Sequence, residues 1–199
     1  KDMTIPPTPI QQPHPPVYLA VSRSAASVDV AISRDLPILT GANTPDDDVL
    51  GIRSLYYEGC AAAGKEPLAQ QMPFFRLGYV AEDEKHARED PREALTWVRD
   101  LNGLRRTLTS GSEIYMDLDH WRNTRTEQPP TYEDQLKDTA YFCTPDQMTE
   151  RLRRLQKEHD VQYFGASMAF GSMQHEKVLR SMELFAKEVM PKFRETTLS

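Results

Sequence analysis

The chain repeatedly changes rhythm, from short unbroken apolar runs to longer stretches in which apolar residues recur every three or four positions. Residues 17–21 (Val17, Tyr18, Leu19, Ala20, Val21) are apolar without alternation, the pattern of a parallel strand covered on both faces. Pro15 and Pro16 lack a backbone donor and fix where it starts. A serine-rich turn, Ser22-Arg23-Ser24, leads directly into a helix over 25–34. The second strand, 36–40, ends in Gly41-Ala42-Asn43. Thr44-Pro45-Asp46-Asp47 then opens a helix with a hydroxyl N-cap, a proline at the first helical position and acids toward the positive end of the dipole. Val49, Ile52, Leu55, Tyr56 and Cys60 keep helical spacing until Gly64 stops it.

The third strand spans 73–80, with Phe74, Phe75, Leu77, Tyr79 and Val80. A charged helix begins at Ala81-Glu82-Asp83-Glu84, breaks near Pro91 and continues through Ala94, Leu95, Trp97, Val98, Leu101 and Leu104. Periodicity is lost over 108–140, a connection long enough to serve as a lid. Thr144-Pro145-Asp146-Gln147 has the capping-box pattern and starts a helix that buries Met148, Leu152 and Leu155. A strand over 161–168 and a final helix with Val178, Leu179, Met182, Phe185 and Val189 on its inward side complete the pattern. Four strand–helix units imply a parallel sheet with right-handed crossovers. An open doubly wound sheet and part of a (β/α)8 barrel both fit. Four units are half of eight, and a whole barrel takes about 250 residues, which favours the half-barrel.

Composition narrows the chemistry. With 199 residues, 39% hydrophobic and 27% charged, and a mean hydropathy of −0.62, the chain supports one core. A net charge of −6 argues against nucleic acid as a partner. The basic cluster Arg151, Arg153 and Arg154 reads as a solvated helix face among Glu150, Lys157 and Glu158. Cys60 and Cys143 lie far apart and supply neither a disulfide framework nor a metal site, as expected of reduced thiols in a cytoplasmic protein. No apolar run approaches the ~18 residues that span a bilayer, and no secretory pattern is present, so no membrane partner is expected. Neither GxGxxG nor GxxxxGKS occurs. Residues 1–16 are rich in proline and read as a loop from the middle of a longer chain.

Three segments together resemble the bacterial luciferase-like family of flavin-dependent monooxygenases. They are Pro15-Pro16-Val17-Tyr18-Leu19-Ala20-Val21-Ser22-Arg23-Ser24 through Leu36-Pro37-Ile38-Leu39, then Phe75-Arg76-Leu77-Gly78-Tyr79-Val80-Ala81-Glu82-Asp83, and Val161-Gln162-Tyr163-Phe164-Gly165 through Val189-Met190-Pro191. The third, with Met182-Glu183-Leu184-Phe185 and its Val-Met-Pro ending, is the most specific. The resemblance covers nearly the whole chain, residues 1–199, and corresponds to the second half of the family's barrel. It implies an α/β fold of (β/α)8 TIM-barrel type, this chain supplying roughly the last four βα units. It also implies reduced FMN and O2 acting on a small lipophilic organic substrate, with the deazaflavin F420 as the alternative cofactor. The implied partners are a flavin reductase and the missing barrel half or another subunit, as in a dimer.

In this family the turn after the fifth strand holds the cofactor phosphate. By position that is Ser22, Arg23 and Ser24, with Ser27 on the first helical turn. The residues independently suit an anion, because backbone N–H groups and hydroxyls converge where a short polar turn enters a helix, and Arg23 adds full positive charge. A hydroxyl the family carries slightly further along is Ala26 here, and Ser24 or Ser27 takes its place if the register slips by one. The family's catalytic histidine belongs to the barrel's first half, so no catalytic residue is assigned. His14, His86, His120, His159 and His175 match no family motif. The 108–140 segment resembles the family's active-site lid, and His120 and Trp121 in Asp119-His120-Trp121-Arg122 are its substrate-side candidates. Such a loop excludes water when it closes; equally, Trp121 packs it onto the barrel. The competing reading is a non-catalytic flavin-binding or interaction protein derived from the family. The isolated chain is expected to lack monooxygenase activity.

Overall fold

The computed structural model describes residues 9–22, 24–68, 72–109 and 130–194. Along the chain run β1 (Leu19–Ala20), α1 (Ala25–Ser33), β2 (Ile38–Leu39), α2 (Asp46–Ala62), β3 (Phe74–Val80), α3 (Glu84–Glu89) and α4 (Arg92–Thr109). After these come α5 (Tyr132–Asp138), β4 (Ala140–Cys143), α6 (Pro145–His159), β5 (Phe164–Ser167), α7 (His175–Leu184), a π-helical turn (Phe185–Val189) and α8 (Pro191–Arg194).

All strand pairs are parallel, in two groups: β1 with β2, and a sheet ordered β4-β3-β5. The amino half of β3 pairs with β5, from Phe74 beside Phe164 to Leu77 beside Ser167. Its carboxyl half pairs with β4, from Leu77 beside Ala140 to Val80 beside Cys143. The strand order therefore departs from four units wound in sequence. The strand missed was β4, four residues set directly against the capping box of the next helix, too short to show a rhythm of its own. Helix α5 also lies in the stretch expected to be irregular, started by its own capping box between Thr131 and Asp134.

β3 and β4 are covered on both faces. On one, Phe74, Val80, Tyr141 and Cys143 meet Met148, Leu152 and Leu155 of α6 and Leu184 of α7. On the other, Leu77, Tyr79 and Phe142 meet Ala87, Leu95 and Tyr132. Gly165 makes the tightest approach: a Cβ there would stand 2.2 Å from the Phe75 ring. β1 differs from its expected double cover. Val21 is buried with Val28, Ala31, Ile38 and Ile52 beneath α1 and α2, but Ala20 is exposed and Val17 is 47% exposed.

Among the described residues the two strand groups share no strand pairing; α2 joins them. Its start is not the expected hydroxyl cap: Pro45 is the N-cap and makes no side-chain cap bond. Instead the Asp46 N–H donates to Asp138 Oδ1 at 2.6 Å, and the Asp46 carboxylate reaches into the β3–β4 layer. There Arg76 Nε donates to Asp46 Oδ1 at 2.6 Å, and the Tyr141 hydroxyl donates to Asp46 Oδ2 at 3.0 Å. Arg76 is fully buried and lies 4.0 Å from the Phe74 ring centroid. Arg151 does not belong to a solvated face. It stacks 3.6 Å over Tyr141 and donates to the Lys137 carbonyl at 2.9 Å, while Arg153 and Arg154 do face solvent.

Pro91 separates α3 from α4 as expected, and Thr144 and Gln147 form the expected capping box. The inward stripe of α7 is Val178, Ser181 and Leu184, not Leu179 and Met182, which are about half exposed. The π-helical turn inserts an extra residue and returns Val189 to the core. The Val80 N–H donates to Ser181 Oγ at 2.7 Å, pinning α7 to the end of β3.

Removing one partner of a buried charge pair leaves the other uncompensated. Asp46→Ala is expected to lower the unfolding free energy by about 3 kcal/mol in urea titrations. A loss below about 1 kcal/mol, the scale of a surface pair, contradicts the anchoring role of Asp46.

Candidate functional site

In open and closed parallel α/β sheets, ligands gather at the carboxyl ends of the strands, where helices begin. At the end of β1, Ser24 takes an extended conformation and caps α1, its Oγ accepting from the Ser27 N–H at 3.4 Å. The Ser24 carbonyl accepts from the Ser27 and Val28 N–H groups. The N–H groups of Ala25 and Ala26 have no intrahelical acceptor by their position. The first turn of α1 carries no acidic side chain, whereas Asp46, Asp47 and Asp48 crowd that of α2. No acid in its own first turn therefore compensates the positive end of α1. Ser22 and Ser24 are exposed and Ser27 is half-buried, so the structure brings these three predicted residues to one turn. Arg23, His120 and Trp121 lie outside the described residues.

Thr40 follows β2 directly and, by the β1–β2 register, comes level with Val21 just before this turn. Its side chain is 5% exposed, and its Oγ1 has no hydrogen-bond partner among the described residues. An unpaired buried hydroxyl costs about 1–3 kcal/mol. The sequence signal was a threonine at the end of an apolar strand, where valine would serve packing equally.

A second polar group sits at the carboxyl end of β3, and sequence spacing gave no sign of it. The Tyr79 hydroxyl donates to Asp90 Oδ2 at 2.9 Å, and Lys177 Nζ donates to Asp90 Oδ1 at 2.5 Å. Burial, reinforced by the bond to Asp90, holds the Tyr79 pKa well above its ordinary value, so this phenol stays protonated. Asp90 and Lys177 line a crevice of about 260 Å³ with Ser172 and Gln174. This cluster ties the start of α7 to the corner between α3 and α4. Burial likewise pushes Tyr141 up to about 12, with Asp46 acting in the same direction.

A larger apolar cavity, about 490 Å³, lies away from these groups, at the amino end of β5. Leu152, Leu155, Phe164, Phe185 and Val189 line it. Among the described residues no group of His, Cys, Asp and Glu side chains forms a metal site. No helix among them is long and apolar enough to cross a membrane. Both cysteines are free and buried, and burial pushes the Cys143 thiol up to about 12, which keeps it protonated.

Comparison with known proteins gives this arrangement a class. The sequence pattern of the luciferase-like monooxygenases matches residues 1–159, so the chain belongs to that family. No curated protein matches the chain. Among solved structures it is similar to monooxygenase RslO1 from Streptomyces bottropensis, with a TM-score of 0.65 and 22% identity, covering 94% of this chain and 51% of that one. It is similar to the oxygenating constituent of 3,6-diketocamphane monooxygenase from Pseudomonas putida, a type II Baeyer-Villiger enzyme in complex with FMN. There the TM-score is 0.62 and the identity 18%, over 88% of this chain and 48% of that one. The coenzyme F420 dependent tetrahydromethanopterin reductase from Methanopyrus kandleri gives a TM-score of 0.56 at 16% identity, over 90% and 51% of the two chains. These likenesses concern the fold, and the chain spans about half the length of each structure.

Among the described residues, His14, His86, His159 and His175 take no part in these clusters. His86 sits on the first turn of α3, where Asp83 caps the helix and its Oδ2 bonds the ring Nδ1 at 2.7 Å. That hydrogen bond raises the His86 pKa above 6.5. The stabilisation is therefore full below the unfolded-state pKa and disappears as pH rises through the higher folded-state value. In an NMR titration His86 is expected to titrate above its ordinary value, and Asp83→Asn to bring it back. An unchanged titration in Asp83→Asn contradicts the pairing.

Proposed function

We propose that this chain is the flavin-phosphate-binding portion of a luciferase-like monooxygenase of (β/α)8 TIM-barrel type. In this reading it uses reduced FMN and O2 on a small lipophilic organic substrate. The observation that carries it is the β1–α1 turn. In a chain of this family, the turn presents capping and flanking serines and a helix N-terminus with no acid in its first turn, which fit a phosphate monoester. The Ser24 and Ser27 hydroxyls and the first-turn N–H groups hold the phosphate oxygens, and Arg23, between Ser22 and Ser24 in the sequence, supplies the counter-charge. When bound, the flavin supplies the electrons that activate oxygen. The chain's own share is to fix the phosphate, orient the ring toward the strand ends and, through residues around His120 and Trp121, keep water out.

Exposed apolar flanks support a completing partner. Val17 and Tyr18 precede β1 and Val30 lies on α1, while Tyr163 precedes β5 and Leu179 and Met182 lie on α7, all more than a third exposed. Together with the half-length match to solved relatives, these flanks fit closure by further βα units, from the other barrel half or another subunit. A flavin reductase would supply the reduced cofactor. F420 is the alternative ligand, since one similar structure is of an F420-dependent enzyme. Without the completing units the 199-residue chain has no turnover of its own.

Titrating FMN, riboflavin and F420 separately into the protein tests the phosphate turn. FMN is expected to bind more tightly than riboflavin, and Arg23→Ala to weaken FMN binding about tenfold with riboflavin unchanged. Equal affinity for FMN and riboflavin removes the phosphate argument, and preferential binding of F420 replaces the cofactor.

A further inference from the structure

The orphan hydroxyl of Thr40 stands where the proposed phosphate turn begins. β1 and β2 run parallel with Ala20 beside Leu39, and the ladder continues through a 2.9 Å bond from the Val21 N–H to the Leu39 carbonyl. Thr40 therefore comes level with Val21, one residue before Ser22. Side chains alternate along a strand, so Thr40 shares the face of Ile38, the face covered by α1 and α2. That is also the side from which α1 starts, with Ser24 at its cap. At 5% exposure, and with no partner for Oγ1 among the described residues, the hydroxyl is sheltered and unspent. Packing does not require it, because valine has the same shape and no polar atom to satisfy. A buried hydroxyl near the start of a helix with no acid in its first turn suits an anionic oxygen as acceptor.

We propose that Thr40 is a further ligand-binding residue, its Oγ1 donating to an oxygen of the phosphate monoester held by the Ser22–Ser27 turn. The proposal rests on the phosphate reading of that turn, and it adds a group from a second strand. Phosphate held from β1 and β2 together is fixed relative to the sheet, whereas phosphate held by one turn can swing with that turn. Thr40 thus sets the height at which the flavin enters the strand-end crevice.

The test compares wild type, Thr40→Val and Thr40→Ser by FMN and riboflavin fluorescence titration and by thermal melting without ligand. Thr40→Val is expected to weaken FMN binding about five- to tenfold, the scale of one hydrogen bond to a charged group, and to leave riboflavin binding unchanged. Its ligand-free Tm stays level or rises, because an unsatisfied hydroxyl has been removed, and Thr40→Ser restores FMN affinity. If wild type prefers FMN over riboflavin and Thr40→Val binds FMN equally well, the phosphate turn stands and the role of Thr40 is overturned. If wild type shows no such preference, both readings fall together. A fall in ligand-free Tm on Thr40→Val shows that the hydroxyl is already satisfied within the free protein, and this also overturns the proposal.

Discussion

Arg76 sits fully buried in the middle of β3, and its charge is met by a carboxylate from another part of the chain. Asp46 is the first residue of α2, thirty positions earlier, and it holds Arg76 with one oxygen and Tyr141 of β4 with the other. Among the described residues the β1–β2 pair shares no strand pairing with the β4-β3-β5 sheet, so this polar contact is a principal register mark between the two. Such a charge pair is expensive to desolvate, and apolar packing could match its stability. What it supplies is direction: a guanidinium and a carboxylate fit in one geometry, and slippage of α2 along β3 would leave Arg76 buried and unpaired. Arg53 adds a second fixed point, donating from α2 to the Met72 and Asp160 carbonyls on either side of the sheet's amino end.

This anchoring bears on function because the proposed ligand contacts all belong to the smaller strand group. Ser22, Ser24, Ser27 and Thr40 move with β1 and β2, while the Tyr79–Asp90–Lys177 cluster moves with β3 and α7. A cofactor gripped by its phosphate on one group and facing substrate over the other needs the two groups in constant relation. The α2 contacts provide it. α2 also keeps its own N-terminus filled with aspartates and leaves that of α1 bare, so only one of two neighbouring helix starts is open to an anion.

Much of the architecture was legible in the sequence where local chemistry is decisive. The break at Pro91, the stop at Gly64 and the capping box at Thr144 depend on a few adjacent residues, and each forms where expected. The readings that failed depend on distant partners. Thr44 has a capping side chain, yet α2 takes its first contact from Asp138, ninety-two residues away, which no local pattern reveals. Arg151 looked solvated because its sequence neighbours are charged; the Tyr141 ring that draws it inward lies on a strand too short to be recognised. Leu179 and Met182 follow helical spacing but lie outside the buried stripe, since the π-helical turn rephases the helix after Leu184. Of the site, the serines were visible as a turn, and family resemblance gave them meaning. The orphan state of Thr40 and the Tyr79–Asp90–Lys177 contacts belong to tertiary packing alone.

Native-state hydrogen exchange across a urea series most directly tests whether the two strand groups form one cooperative body. If α2 and its buried contacts lock them together, the amides of α1, β2 and α2 open with the same free energy and urea dependence as those of β3 and β4. Opening of the α1–α2 region at clearly lower free energy, with β3 and β4 still protected, would contradict the account.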